Sequence, residues 1–448
     1  MPGAYLNNAA TTWPKPPCVA EAMSEFLTRG GANLARGAAS ARDLGAMNLV
    51  LDCRIKLAEF FGGYGRDPRY VTFCANVTEA LNVVLKGFAR VSPDAPILIA
   101  PMPHNSTTRA RAGGPGPVMG VAEAREIALP LVGVRAIENF FLSHGIDVSS
   151  FRPTGGLVTL PSSYPITGPG PLALVNWGGN VCGTIQPLRE IAGFCRECGI
   201  FLVVDSAQAA GIVPVDVEEL GIAALCFTGH KGLMGPQGIG GIVWNPEFAE
   251  RVAPLIEGGT GSYSHLEVQP SELPDKFEAG TPNLPGIAGL SAALDWIAET
   301  GIENIADREK MLGEYFLKGL ARFRERLEPR GLEVLSYGNK TADGEDTMEG
   351  RLPVFALNLA KNSEGEARPD KARPDEARLL DNGILAGKLA ERGFETRPGL
   401  HCAPRAHKAL GTFPGGSLRV SLGYFNTPEE LDAFWEAFWE VAEEYTRR

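Results

Sequence analysis

Between residues 70 and 245 the chain alternates short apolar runs with stretches of helical spacing. "YVTFCAN" and "PILIAP" come first, then "LALVNW", "IFLVVDSA" and "ALCFTGHK", with the helix-like "PLREIAGFCRECG" between two of them. Short, continuously apolar runs separated by helices read as strands of a parallel sheet with right-handed crossovers. After about residue 285 the pattern changes. "GIAGLSAALDWIAET" and "EKMLGEYFLKGLARFRERL" have long helical spacing and precede the strand-like "PVFALNLA" and "GSLRVSLGY". A chain of 448 residues exceeds the usual single core. The expectation is an α/β protein with a mainly parallel central sheet flanked by helices, in a large domain at 15–284. A smaller α+β domain would combine residues 1–14 with 285–448.

Composition narrows the function classes. A net charge of −11 argues against a nucleic-acid partner, which calls for a basic face. No run of about 18 apolar residues is present, so no membrane span is expected. "MPGAYLNNAATTWPKPP" lacks a basic start followed by an apolar stretch, so a cytoplasmic location is expected. Eight cysteines in so long a chain do not make a disulfide framework. "CRECG" at 195–199 holds a C-x-x-C with no second pair, so no metal site is expected there. "EGEARPDKARPDEAR" at 364–378 and the Gly/Pro-rich 108–170 read as loop or excursion rather than core.

The chemistry concentrates at two strand ends. Open α/β sheets bind ligands beyond the carboxyl ends of their strands. "IFLVVDSAQ" ends on Asp205, and "FTGHKGLMGPQGIGG" places Lys231 26 residues later, one β-α-β step away. Taken alone, Asp205 is a helix cap and Lys231 a loop lysine. Together, a carboxylate suited to a protonated ring nitrogen and an amine suited to an aldehyde describe a site for pyridoxal 5′-phosphate. Gly232, Gly235, Gly238, Gly240 and Gly241 are expected to let the backbone turn tightly around that ligand. "ANVTEALNVV" puts Val77 and Thr78 at a turn entering a helix, where N–H groups favour an anion such as phosphate. Thr78 as a plain N-cap is compatible with that role.

Many ordered motifs carry a family resemblance: "YLNNAATT", "NVTEALNVV", "HNS", "NWGGNVCGTIQPL", "VVDSAQAAG", "GHKGLMGPQG", "FEAGTPN", "GLHCAPRAHKALGT" and "LRVSLGYFNT". The chain resembles the class V aminotransferase group of fold-type I pyridoxal phosphate enzymes, and within it the cysteine desulfurase and selenocysteine lyase branch. The resemblance implies that Lys231 bonds the cofactor and moves protons at the substrate α-carbon. It implies that Asp205 pairs with the ring nitrogen and that His104 stacks on the ring and serves in acid–base steps. Asn180 and Gln208 would bond the ring hydroxyl side, with Thr228 and His230 on the phosphate. Thr260, in "GGTGS", would reach the phosphate of the partner subunit in a homodimer.

The same resemblance implies that Cys402 attacks the sulfur of bound L-cysteine, becomes a persulfide and releases alanine. A thiolate is the nucleophile, and a loop with His401 and Arg405 nearby suits it. Arg397 would hold the substrate carboxylate as a planar fork, alongside Asn180. The alternatives are a selenocysteine lyase or a class V aminotransferase or lyase on another amino acid, and, from another class, a non-catalytic sulfur-handling scaffold. A sulfur-acceptor protein is an expected partner. Trp177 stands where the family commonly has His, and Ala38 where it commonly has a polar residue. Both departures bear on substrate choice.

Overall fold

The computed structural model describes residues 3–32, 34, 40–93, 95, 97–100, 102–112, 170–361 and 379–446. Ala38, the charged repeat at 364–378 and nearly all of 108–170 lie outside the described residues.

The strand expectations place correctly. The large sheet comprises β2 (Val71–Cys74), β3 (Ile97–Ile99), β4 (Leu172–Asn176), β5 (Phe201–Asp205), β6 (Ala224–Thr228) and β7 (Gly240–Trp244), after a short β1 (Ala4–Tyr5) at the start of the chain. Their order is β2-β7-β6-β5-β4-β3. The β3, β4, β5 and β6 pairings are parallel, and β7 runs antiparallel to both of its neighbours. The continuous apolar runs follow from burial on both faces. Ala173, Val175, Leu202 and Val204 face one core, with Leu57, Ile191 and Leu290. Leu172, Leu174 and Val203 face the other, with Leu81, Val84 and Phe248. Successive side chains point to opposite faces of a strand, so each run feeds two cores.

Helices α1 (Pro17–Glu25), α2 (Ala41–Phe60), α3 (Val77–Val91), α4 (Asn105–Ala112), α5 (Leu188–Glu197), α6 (Val217–Leu220) and α7 (Pro246–Glu250) accompany this sheet. Helix α8 (Leu284–Thr300) joins the same core through Ile287, Leu290, Leu294 and Ile297. Helix α9 (Ile302–Leu327) gives Ile305 to that core and Leu312, Phe316, Leu320, Phe323 and Leu327 to another. Packing therefore changes hands inside α9, after the expected boundary at residue 285.

The other core lies under a four-stranded antiparallel sheet of order β11-β12-β9-β8. Its strands are β8 (Leu332–Tyr337), β9 (Val354–Lys361), β11 (Arg397–Gly399) and β12 (Ser417–Ser421). With them go α10 (Asn382–Glu391), β10 (Phe394–Glu395), α11 (Pro404–Ala409) and α12 (Pro428–Thr446). Residues near the start belong here too. β1 pairs in parallel with β10, and Asn7 bridges Ser421. Among the described residues no helix is long and apolar enough to cross a membrane.

Candidate active site

The expected site residues follow the carboxyl ends of the parallel strands. Val77 and Thr78 come after β2, His104 after β3, Asn180 after β4, Asp205 and Gln208 at the end of β5, and Thr228, His230 and Lys231 at the end of β6. Register sets them level. Asp205 is opposite Cys226, two residues before Thr228. Thr228 is opposite Gly240, which is itself opposite Cys74. The start of α3 therefore lies close to the end of β6, one strand away. A Cβ on Gly240 would come within 3.0 Å of the Asn76 backbone, so the glycine admits this approach. That corrects the reading of the glycine run as one tight turn. Gly240 and Gly241 are residues of β7, and of the five only Gly238 has a positive φ, at 81°.

The N-cap of α3 is Asn76 rather than Thr78. Its side chain accepts from the Glu79 N–H at 3.0 Å, and Glu79 reaches back to the Ala75 N–H at 2.6 Å. The Val77 and Thr78 N–H groups precede the first intrahelical bond and remain available. At the end of β6, Thr228 is 2% exposed, yet its hydroxyl has no partner among the described residues, and the same holds for His230 Nδ1. Burial lowers the His230 pKa to about 4, with the Lys231 and Lys15 charges adding to it.

Asp205 is 4% exposed and accepts from the Ala207 N–H at 3.1 Å. Burial raises its pKa, against that hydrogen bond and the Lys231 charge. Lys231 is half-buried as a residue, and burial lowers its amine to about 8 despite Asp205. Arg419, Arg397 and Cys402 also act on that amine, so the two sheets meet here. His104 accepts from the Ser106 N–H at Nδ1, 3.1 Å away, which leaves the proton on Nε2 in the neutral ring. Burial, then the Lys231 charge, holds His104 down to about 4.

Cys402 is exposed, as its polar neighbours suggested, and the other seven thiols are buried or half-buried. Cys182 in particular is enclosed with Val181, Ala403 and Ala406. The Cys402 loop is anchored. Its carbonyl accepts from Asn105 N at 2.7 Å, and the His401 carbonyl accepts from Asn180 Nδ2 at 2.7 Å. His401 and Cys402 both have positive φ, 48° and 57°, a conformation non-glycine residues rarely adopt. His401 is buried at 3%, so the polar flank is not exposed throughout. Arg397 Nη2 lies 3.6 Å from Cys402 Sγ.

Asn180 and Gln208 spend their amide nitrogens on backbone, Gln208 donating to Ala9 O at 3.0 Å. Trp177 is core, 3% exposed. Thr260 makes its hydrogen bonds locally. It bonds Ser262 and lines a cavity of about 450 Å³ with Cys74, Ala75, Glu79 and Thr281.

Sequence reasoning missed Arg419. This arginine is 1% exposed in the middle of β12, donates to Asn180 O and Asn7 Oδ1, and has no partner at Nε among the described residues. Burial lowers its pKa to about 9, and the Arg397 charge adds to that. A buried guanidinium without a carboxylate among the described residues calls for an anion. The available signal was an arginine inside the apolar "SLRVS".

Fold and donor set together define a site of one class. An amine, a carboxylate and two buried polar groups without partners among the described residues gather at the strand ends of the large sheet, and Arg397 and Arg419 of the smaller sheet act on the amine. The family model for the class-V aminotransferases matches residues 4–112 and 164–331, and the chain belongs to that family. A probable cysteine desulfurase of Synechocystis sp. is 29% identical over 444 residues, 97% of this chain and 90% of the relative. A probable cysteine desulfurase of Streptomyces coelicolor is 30% identical over 439 residues, covering 96% and 90%. Among solved structures, the apo cysteine desulfurase of Thermococcus onnurineus NA1 aligns with TM-score 0.74 and 26% identity, over 99% of this chain and 95% of that one. The cysteine desulfurase CsdA of Escherichia coli, in its S-sulfonic acid form, gives 0.68 and 25% over 99% and 95%.

Proposed function

We propose that this protein is a pyridoxal phosphate-dependent cysteine desulfurase that converts L-cysteine to L-alanine and carries the sulfur on Cys402. The observation that supports it best is the exposed Cys402, held beside Arg397 within electrostatic reach of the Lys231 amine.

The residues fit the cofactor. Val77 and Thr78 N–H, Thr228 and His230 offer donors to a phosphate. Asp205 would meet a protonated ring nitrogen, Lys231 would bond the aldehyde, and His104 would pack against the ring. When bound, pyridoxal phosphate supplies an electron sink for charge developing at the substrate α-carbon. Lys231, deprotonating near 8, is suited to moving the α-proton. Arg419 and Arg397 hold the substrate carboxylate, with Asn180 bracing Arg419 through its carbonyl. Cys402 Sγ attacks the substrate sulfur: an S–S bond forms, the substrate Cβ–S bond breaks, and its electron pair stays with the three-carbon fragment. Protonation of that fragment gives alanine.

The reading includes a homodimer in which Thr260 donates to the partner subunit's phosphate, and a separate sulfur-acceptor protein. It keeps two domains, joined through α9. All eight cysteines are free thiols, in keeping with a reducing cytoplasm.

Incubation with L-cysteine, with and without reductant, tests the activity. Alanine and sulfide in equal amounts, the sulfide released only with reductant, is the expected result. A keto acid in place of alanine makes the protein an aminotransferase. Turnover confined to selenocysteine makes it a selenocysteine lyase.

A further inference from the structure

The two backbone carbonyls that flank the Lys231 α-carbon are both gripped by one short segment from near the start of the chain. The His230 carbonyl accepts from Thr12 N at 3.1 Å, Thr11 Oγ1 at 3.0 Å and Lys15 Nζ at 2.7 Å. The Lys231 carbonyl accepts from Thr12 Oγ1 at 3.0 Å. Lys15 also donates to that hydroxyl, at 2.5 Å, so ammonium, hydroxyl and carbonyl form one polarised chain. Lys15 has no carboxylate partner among the described residues. Burial lowers its pKa to about 7. An ammonium taken out of water without a counter-charge is costly, and its only returns here are an oxygen of the strap and the carbonyl beside Lys231.

Peptide units are planar, so the orientations of the two units on either side of an α-carbon set that residue's φ and ψ. Fixing the His230 and Lys231 carbonyls therefore fixes the direction in which the Lys231 side chain leaves the backbone. The segment is anchored at its other end as well. Asn8 N donates to Ser421 O at 3.2 Å, Ala9 N donates to Ser421 Oγ at 2.9 Å, and Asn7 Oδ1 accepts from Arg419 at 2.8 Å. Residues 7–15 thus connect the strand bearing the buried arginine to the lysine.

We propose that Lys15, acting through Thr12, is a positioning residue that aims Lys231 at its reaction partner. The proposal rests on Lys231 being the cofactor-bonding lysine. It assigns no contact between Lys15 and substrate or cofactor.

The test compares loaded wild type with Lys15→Met, Lys15→Arg, Thr12→Val and Thr12→Ser. Borohydride labelling of wild type first establishes the lysine, and a label elsewhere fails the underlying assignment rather than this proposal. With Lys231 labelled, Lys15→Met is expected to lower kcat on the order of tenfold at little-changed KM. It is also expected to move the pH midpoint of the loaded protein's visible absorbance. Lys15→Arg keeps a cation and is expected to recover most of both. Thr12→Val should reproduce the loss and Thr12→Ser should not, which covers a Lys15→Met chain that fails to fold. Lower thermal stability with wild-type kcat and absorbance midpoint in Lys15→Met and Thr12→Val overturns the proposal.

Discussion

Arg397 and Cys402 stand 3.6 Å apart, nitrogen to sulfur, across a loop whose cysteine holds a left-handed backbone. The guanidinium N–H donates to the sulfur and orients it toward an incoming electrophile. Arg397→Ala is predicted to slow alkylation of Cys402 by iodoacetamide at neutral pH by about threefold to tenfold, roughly the 1 kcal/mol of one hydrogen bond. Arg397→Lys should fall between. Equal rates across all three proteins would separate the arginine from the nucleophile.

Thr228 carries a buried hydroxyl with no hydrogen-bond partner among the described residues. An unsatisfied buried group costs about 1–3 kcal/mol. Thr228→Val is therefore predicted to leave the cofactor-free protein as stable or more stable, while weakening cofactor binding about tenfold or more. Thermal melts of the stripped protein and a cofactor titration read the two effects separately. A loss of apoprotein stability with unchanged affinity would make Thr228 a plain core residue.

Lys231 gives a pH dependence of known sign. Burial lowers its pKa to about 8 from 10.5. Between those values the unfolded chain holds the proton and the native apoprotein does not, so stability rises with pH across the window. Below about 8 the buried cation imposes its full penalty, about 3 kcal/mol. Lys231→Met should thus stabilise the apoprotein at pH 7, with the gain shrinking toward pH 10.5. Urea unfolding at pH 7 and 9.5 measures it, and a gain that grows with pH contradicts the assignment.

Four histidines act together at the acid side. Burial, the largest cause in each case, lowers His104, His230 and His407 to about 4 and His401 to about 2. Their unfolded forms take up protons near 6.5, so stability is predicted to fall as pH drops below that, by up to about 5 kcal/mol per unit. His407→Gln should reduce the slope by about one proton. A flat unfolding free energy between pH 6.5 and 5 would falsify this.

Much of the site was readable because it hangs on local pattern. Asp205 closes one continuous apolar run and Lys231 lies three residues past the end of the next, and a β-α-β step places such ends in adjacent strands. Cys402 was readable from its polar loop. Four features were not. Arg419 sits on a strand whose five residues are all buried, and in sequence it looks like the surface arginine of an alternating strand. The antiparallel β7 hid inside a glycine run read as loop. Its glycines answer contacts with Asn76 and Thr72 that lie far away along the chain. The grip of Thr12 and Lys15 on Lys231 spans more than 200 positions, and no window of sequence carries it. The change of core within α9 was missed because apolar spacing shows which face is buried and not what buries it.

The bridge formed by residues 7–15 also has a bearing on biosynthesis. Asn8 bonds Ser421 across 413 positions, and Ala9 bonds the same serine across 412. A ribosome delivers Lys231 and the whole six-stranded sheet long before it delivers Ser421. A nascent chain can therefore bury the large cores while the grip on Lys231 still lacks its far anchor, since contacts of such separation form last. Cofactor capture in stable form is then an event of the released polypeptide. Ribosome-stalled chains ending before residue 417 should resist proteolysis over the large sheet yet keep no cofactor through gel filtration, and retention by such chains would show that the anchor is dispensable.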